Sequence, residues 1–330
     1  MSDGLRERKR AAILGALVAD AASMGFHWLY DQARIKELAP VEPEFRQPKR
    51  CDFDGFSGYF AHGMRQAGEL SHYGEQARLM LQSLSSNKGD YSQQHYQSLF
   101  QQFFGYGGGY VGYIDHATRE TLNRMESAGV AMRESPEGVF FGSADDQLPA
   151  ISKLPALVAR FAGDPRLVTT TESAVKVTNN LDTSVAYGLV AARALETAIL
   201  TASPALAAEA GLRAASESIV SDLKPAFESN ECSSKEFSAQ LGLSCELKFG
   251  IPSVFHQLGK VESFSSAVRE NIWIGGDSCG RAILLGGILG ACFGLGGDLG
   301  IPESWAARLS EKVKLDVWID RALGTPMLND

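Results

Sequence analysis

Cysteine is scarce and unpatterned in this chain. Its five residues, Cys51, Cys232, Cys245, Cys279 and Cys292, are odd in number and show no C-x-x-C pair. That argues against a zinc ribbon or a disulfide framework and fits a reducing compartment. Basic charge is also in short supply: 31 Lys and Arg stand against 39 Asp and Glu, a formal net charge of −8. Without a basic stripe to displace counterions from a phosphate backbone, nucleic acid is not an expected partner. Long apolar runs are missing as well. The run Ala282 to Leu295 falls short of the roughly 20 residues that span a bilayer. Arg6 to Arg10 followed by Ala11 to Ala19 mimics a secretory leader superficially. However, Asp3 and Glu7 dilute its basic part, and Leu14, Leu17, Val18, Ala21 and Met24 recur at helical spacing. A cytoplasmic protein with no membrane partner is expected.

Strand-like alternation is scarce, and what fills the chain instead is helical periodicity. Val185, Leu189, Ala192, Leu195 and Ile199 line one face behind Asp182, a good N-cap residue. Val254, Leu258, Val261 and Val268 form another face, as do Leu70, Ala77, Met80, Leu81 and Leu84, and Leu148, Ile151, Leu157, Val158 and Phe161. The stretch Val313, Leu315, Val317 and Ile319 reads as strand or helix, with helix favoured. Pro40 to Gly58 is a loop, and Gly105 to Gly112 is too rich in glycine for a stable helix. Such loops serve as connectors or cover ligand sites. No linker separates two compositions, so residues 1–330 are expected to form one all-α domain, a multi-helix bundle.

The most informative segment is Gly275-Gly276-Asp277-Ser278-Cys279-Gly280-Arg281-Ala282. A glycine turn there presents a carboxylate, a hydroxyl and a thiol at the head of an apolar helix. Gly286, Gly290 and Gly294 recur every four residues along that helix, a stripe that lets a neighbouring backbone pack closely. Asp277 and Ser278 suit helix N-capping, as does Ser71 ahead of its own helix.

Several blocks in order resemble the ADP-ribosylglycohydrolase superfamily. They are Gly15-Ala16-Leu17-Val18-Ala19-Asp20-Ala21, Leu70-Ser71-His72-Tyr73-Gly74-Glu75-Gln76, Val177-Thr178-Asn179-Asn180, Gly275 through Ala291, and Ile301-Pro302-Glu303-Ser304-Trp305. His27-Trp28-Leu29-Tyr30-Asp31 and the segment from Gly276 to Arg281 look most like the branch of the J-type crystallins. The resemblance implies an orthogonal helical bundle with a central cleft. In active members of that family the cleft holds two magnesium ions, which bind the ribose of ADP-ribose and orient the hydrolytic water.

Matched position by position, Ser71 keeps the hydroxyl of the family's metal loop, and its two aspartates become His72 and Tyr73. Asp277 is retained, Cys279 stands for aspartate and Gly280 for the hydroxyl residue. An acidic position on the opening helix falls near His27, with Asp31 one turn later. Ser71 and Asp277 are the oxygen donors left to magnesium, which is poorly served by imidazole or thiol. The binuclear site is therefore expected to be degenerate and without magnesium. His27, His72 and Cys279 would form a soft-ligand zinc site if they converge, and otherwise line a pocket.

Asp145 and Asp146 are read either as a cap with a dipole-favoured charge or as carboxylates reaching the same cleft as general base. Asp277 joins them as a catalytic candidate, while His27, Ser71, His72, Asn179, Cys279 and Arg281 are candidates for ligand contact. Arg281 either pairs with Asp277 four positions earlier or offers its guanidinium to a phosphate or carboxylate. Two functions follow from these residues. One is a protein that binds an ADP-ribose-like small molecule with weak, altered or absent glycosidic hydrolysis. The other is a non-catalytic, crystallin-like soluble body. Oligomeric state is not legible from the sequence.

Overall fold

The computed structural model describes residues 2–129, 136–229 and 231–324, and among these no strand occurs, only isolated β-bridges. The principal helices are α1 (Asp3–Ser23), α2 (Gln32–Leu38), α3 (His72–Ser86), α4 (Gln93–Phe104) and α5 (His116–Ala128). There follow α6 (Leu154–Phe161), α7 (Leu167–Thr178), α8 (Asp182–Thr201), α9 (Pro204–Arg213) and α10 (Leu247–Leu258). The chain closes with α11 (Phe264–Ile274), α12 (Ser278–Phe293) and α13 (Lys312–Ala322). The ambiguous stretch from Val313 to Ile319 is thus helical. Buried side chains from nearly all of these helices join one hydrophobic cluster, as an all-α bundle requires.

At its centre α1 packs along α12. A methyl added to Gly15 would lie 2.9 Å from the Cα of Gly290, and one added to Gly290 would collide with the carbonyl of Ala11. The glycine stripe therefore brings two backbones into direct contact. Gly294 does not share in it. It ends α12 with φ +74° and has open space where a side chain would stand, a conformation glycine adopts without strain.

Two local expectations are corrected. Asp182 is the first helical residue of α8, not its cap; Leu181 holds the cap position, and the carboxylate still meets the positive end of the helix. The face running from Val254 to Val268 is split between α10 and α11, because Gly259 to Ser263 interrupts it and Ser263 caps α11 with a capping box. The loop from Gly105 to Gly112 joins α4 to α5. It leads into Tyr113, whose ring meets Trp28 edge-on at 4.9 Å and lies 5.6 Å from His72.

Candidate functional site

The heads of α3 and α12 and the segment after α1 meet at Asp277. Positive φ at Gly275 and Gly276 (+78° and +62°) turns the chain so that Asp277 caps α12, accepting from the Gly280 amide at 2.8 Å through Oδ1. The same oxygen accepts from His27 Nε2 at 3.0 Å, while Oδ2 accepts from the Tyr73 hydroxyl at 2.5 Å. Burial alone would favour the neutral acid. The His27 contact, the Tyr73 hydroxyl and the Gly280 amide overcome it and hold the carboxyl below its usual range. Burial and the Asp277 charge push the Tyr73 phenol well up, so it remains a donor.

Ser71 caps α3 as expected, accepting from the Tyr73 amide at 3.1 Å. Its hydroxyl donates to Asp20 Oδ1 at 2.5 Å, and its amide donates to Asp20 Oδ2 at 2.8 Å. Asp20, on α1, is therefore the acid that the opening helix brings to the site; Asp31 instead caps α2 through the Arg34 amide. Burial raises the Asp20 carboxyl to about 7 against the hydrogen bonds from Ser71. Gly74 lets the two approach, since a side chain there would strike that carboxyl.

Imidazoles fill the space beside Asp277. His27 Nδ1 lies 2.7 Å from His62 Nε2, and the two rings stack at 4.9 Å. His72 lies 5.7 Å from the His27 ring and 5.9 Å from the His62 ring. Burial, then the charge of His27, lowers His62 and His72 well below the ordinary imidazole range. All three rings are buried. Both nitrogens of His72, His62 Nδ1, Trp28 Nε1 and Gln76 Oε1 are buried without a hydrogen-bond partner.

The soft donors that converge are His27, His62 and Cys279, whose ligand atoms all lie within 4.8 Å of one another. His72 stands outside this group; its Nε2 is 3.7 Å from Asp115 Oδ2. His27, His72 and Cys279 thus do not converge as a set, and the group that does converge has His62 in place of His72. Nothing around His62 in sequence marks it, because it sits in a loop with no periodic or capping signal.

Asp145 and Asn179 meet beside a bridge between Ser143 and Asn179. Asn179 Nδ2 donates to the Asp145 carbonyl at 3.1 Å and carboxylate at 3.2 Å. The carboxylate also takes the Gln147 amide at 2.9 Å and lies 3.0 Å from Nδ1 of the exposed His116. The aspartate closes a turn ahead of the short 3-10 segment Leu148–Ala150, whose cap position is Gln147. The half-buried Asp146 gives its backbone carbonyl to Leu247. Beneath this corner lies Lys153, fully buried, with its ammonium on Thr178 Oγ1. Burial lowers it to about 7 while Asp115 pulls the other way. Neither Lys153 nor Asp115 carries a motif that would have marked it in the sequence.

Arg281 neither pairs with Asp277 nor points at an open site. Its guanidinium is buried, donating to Asn271 Oδ1 at 2.9 Å, the Asn271 carbonyl at 3.2 Å and the Gly275 carbonyl at 2.6 Å. Desolvation lowers it to about 10. The planar fork of an arginine is matched to these converging acceptors, so Arg281 ties the end of α11 to the head of α12.

Known proteins are similar to this chain in sequence and in fold. Crystallin J1A of Tripedalia cystophora is 29% identical over 318 residues, which cover 94% of this chain and 94% of that protein. Crystallin J1B of the same organism is 27% identical over 319 residues, 93% of each. A solved structure titled ADP-ribosylglycohydrolase-related protein complex shares the fold, with a TM-score of 0.68 at 17% identity over 98% of this chain and 99% of that one. A sequence model of the ADP-ribosylglycohydrolase family matches residues 1–329, and this chain belongs to that family.

Proposed function

We propose that this chain has given up magnesium-dependent glycosidic hydrolysis and keeps the family fold as a non-catalytic body, like the crystallins it is similar to. The observation that carries this reading is the saturation of Asp277. Its two oxygens already accept from His27, Tyr73 and Gly280, in fully buried surroundings. Magnesium demands near-octahedral oxygen donors. The donor set at the matched positions does not fit it: His72, Tyr73 and Cys279 supply imidazole, phenol and thiol, and Asp20 is engaged by Ser71. Two such ions repel each other strongly and need several carboxylates to stay together. A degenerate magnesium site follows.

One feature favours a second reading, retained recognition of an ADP-ribose-like small molecule. Tyr59, 57% exposed, packs 5.5 Å from Tyr113 beside Trp28. Tyr113 shortly precedes His116, the exposed partner of Asp145. Aromatic faces of this kind stack on bases, and the carboxylate suits a ribose hydroxyl. Thermal shift and calorimetry with ADP-ribose, each with and without magnesium, separate the readings. The non-catalytic reading expects no magnesium-dependent stabilisation and no release of ADP-ribose from an ADP-ribosylated substrate. Binding without magnesium supports the second reading; magnesium-dependent binding and turnover overturn the first.

A further inference from the structure

Two imidazole nitrogens and one thiol converge in the interior, on three separate parts of the chain. His27 follows α1, His62 lies in the loop before α3, and Cys279 is in the first turn of α12. We propose that His27, His62 and Cys279 bind one borderline-soft divalent cation of the zinc class. This goes beyond the loss of hydrolysis and does not depend on it.

The donor chemistry selects the ion. Imidazole and thiolate suit zinc, cobalt and nickel and serve magnesium and calcium badly. The surroundings also have the form that metal-binding histidines take. A ligating imidazole commonly donates its second N–H to a carboxylate, which fixes the tautomer and strengthens the ligand. Here His27 directs Nε2 at Asp277 Oδ1, 3.0 Å away, and leaves Nδ1 facing His62. Asp277 is itself fixed by Tyr73 and the Gly280 amide. The buried Nδ1 of His62 has no hydrogen-bond partner, an uncommon state for a buried polar atom, and leaves the ring free to carry its proton there when Nε2, 2.7 Å from His27 Nδ1, turns to the cation.

Charge closes as well. On loading, the proton that joins His62 Nε2 to His27 Nδ1 moves to the partnerless His62 Nδ1, so that each imidazole offers a lone pair, and Cys279 gives up its thiol proton to solvent and binds as thiolate. The dipositive ion is then matched by the thiolate and the Asp277 carboxylate. That arrangement neutralises charge in a place with almost no access to water, where an unbalanced ion is costly. Three protein donors leave the remaining tetrahedral position to one further small donor.

Cobalt(II) is the probe, because a cysteine ligand gives it a thiolate-to-metal charge-transfer band in the near ultraviolet. The full-length protein, stripped with chelator and titrated, is expected to bind a single cobalt ion with that band and to exchange it for zinc. Excess magnesium should not displace it. Cys279→Ser should abolish the band, and Asp277→Asn should weaken affinity by about tenfold to a hundredfold. Should Cys279→Ser fail to fold, replacing Cys51, Cys232, Cys245 and Cys292 by serine together tests the same point, since the band must survive. Folded wild-type protein that retains no cobalt, or a band that follows one of those four cysteines, overturns the proposal. Neither result bears on hydrolysis, which is read by the ADP-ribose experiment.

Discussion

Tyr73 donates its phenolic hydrogen to Asp277 across 204 residues of chain, at 2.5 Å and with both side chains buried. The bond joins the head of α3 to the head of α12 where the family resemblance would place a metal between two aspartates. A hydroxyl donor meets the Asp277 carboxylate there.

Tyr73→Phe removes that donor and little volume. It leaves Asp277 Oδ2 buried without a partner, which costs about 1–3 kcal/mol. Denaturant unfolding should show a lower midpoint with an unchanged slope. An unaltered midpoint would mean that the bond contributes nothing.

Arg281→Lys keeps a positive charge but loses the planar fork that reaches Asn271 and the Gly275 carbonyl. A loss of about 2 kcal/mol or more is expected, since hydrogen bonds to a charged group are lost in the interior. Affinity for ADP-ribose, if any is measured, should not change, because the guanidinium is buried against backbone. A selective loss of binding at constant stability would restore the phosphate-holding role.

Gly286→Ala places a methyl against Ala19 and the carbonyl of Gly15. Overpacking of this kind costs about 1–3 kcal/mol, and more where backbone must move. Thermal denaturation of this variant beside a Leu289→Ala variant of the same helix separates two kinds of damage: the first crowds the α1–α12 contact, the second leaves a void. A Gly286→Ala protein as stable as the parent would show that the helices are not in backbone contact.

Stability should pass through a minimum near neutral pH as far as two buried groups are concerned. Asp20 is raised from 3.8 to about 7. Between those values the folded chain keeps a proton that the unfolded chain releases, so stability falls as pH rises. Lys153 is lowered from 10.5 to about 7. Above about 7 the unfolded chain keeps the proton that the folded chain has lost, so stability recovers toward 10.5. Asp20→Asn should flatten the acid limb and Lys153→Met the alkaline one, read as unfolding free energy against pH. Limbs that persist in both variants would assign the titration to other groups.

What the sequence disclosed was local. Ser71 and Asp277 were legible as caps because a cap needs only its own side chain and the amides two or three residues on. The glycine stripe foretold a close helix pair, and helical spacing foretold the all-α fold. Partners distant in the chain were not legible. His62 gives no signal in its loop, yet it completes the group with His27 and Cys279. Arg281 looked ready to pair with Asp277, but backbone carbonyls from the end of α11 took its guanidinium. Asp20 was visible within a motif, but its role depends on Ser71, which the fold supplies from the head of another helix.

The contact between Gly15 and Gly290 also orders events in time. The helix α1 carries a groove shaped for α12, which lies far along the chain and is made much later in synthesis. Until α12 arrives, the apolar flank of α1 has no mate, and a nascent or truncated chain exposes it to other chains. Folding of this bundle is accordingly expected to be a late, concerted closure, with shortened products prone to aggregate.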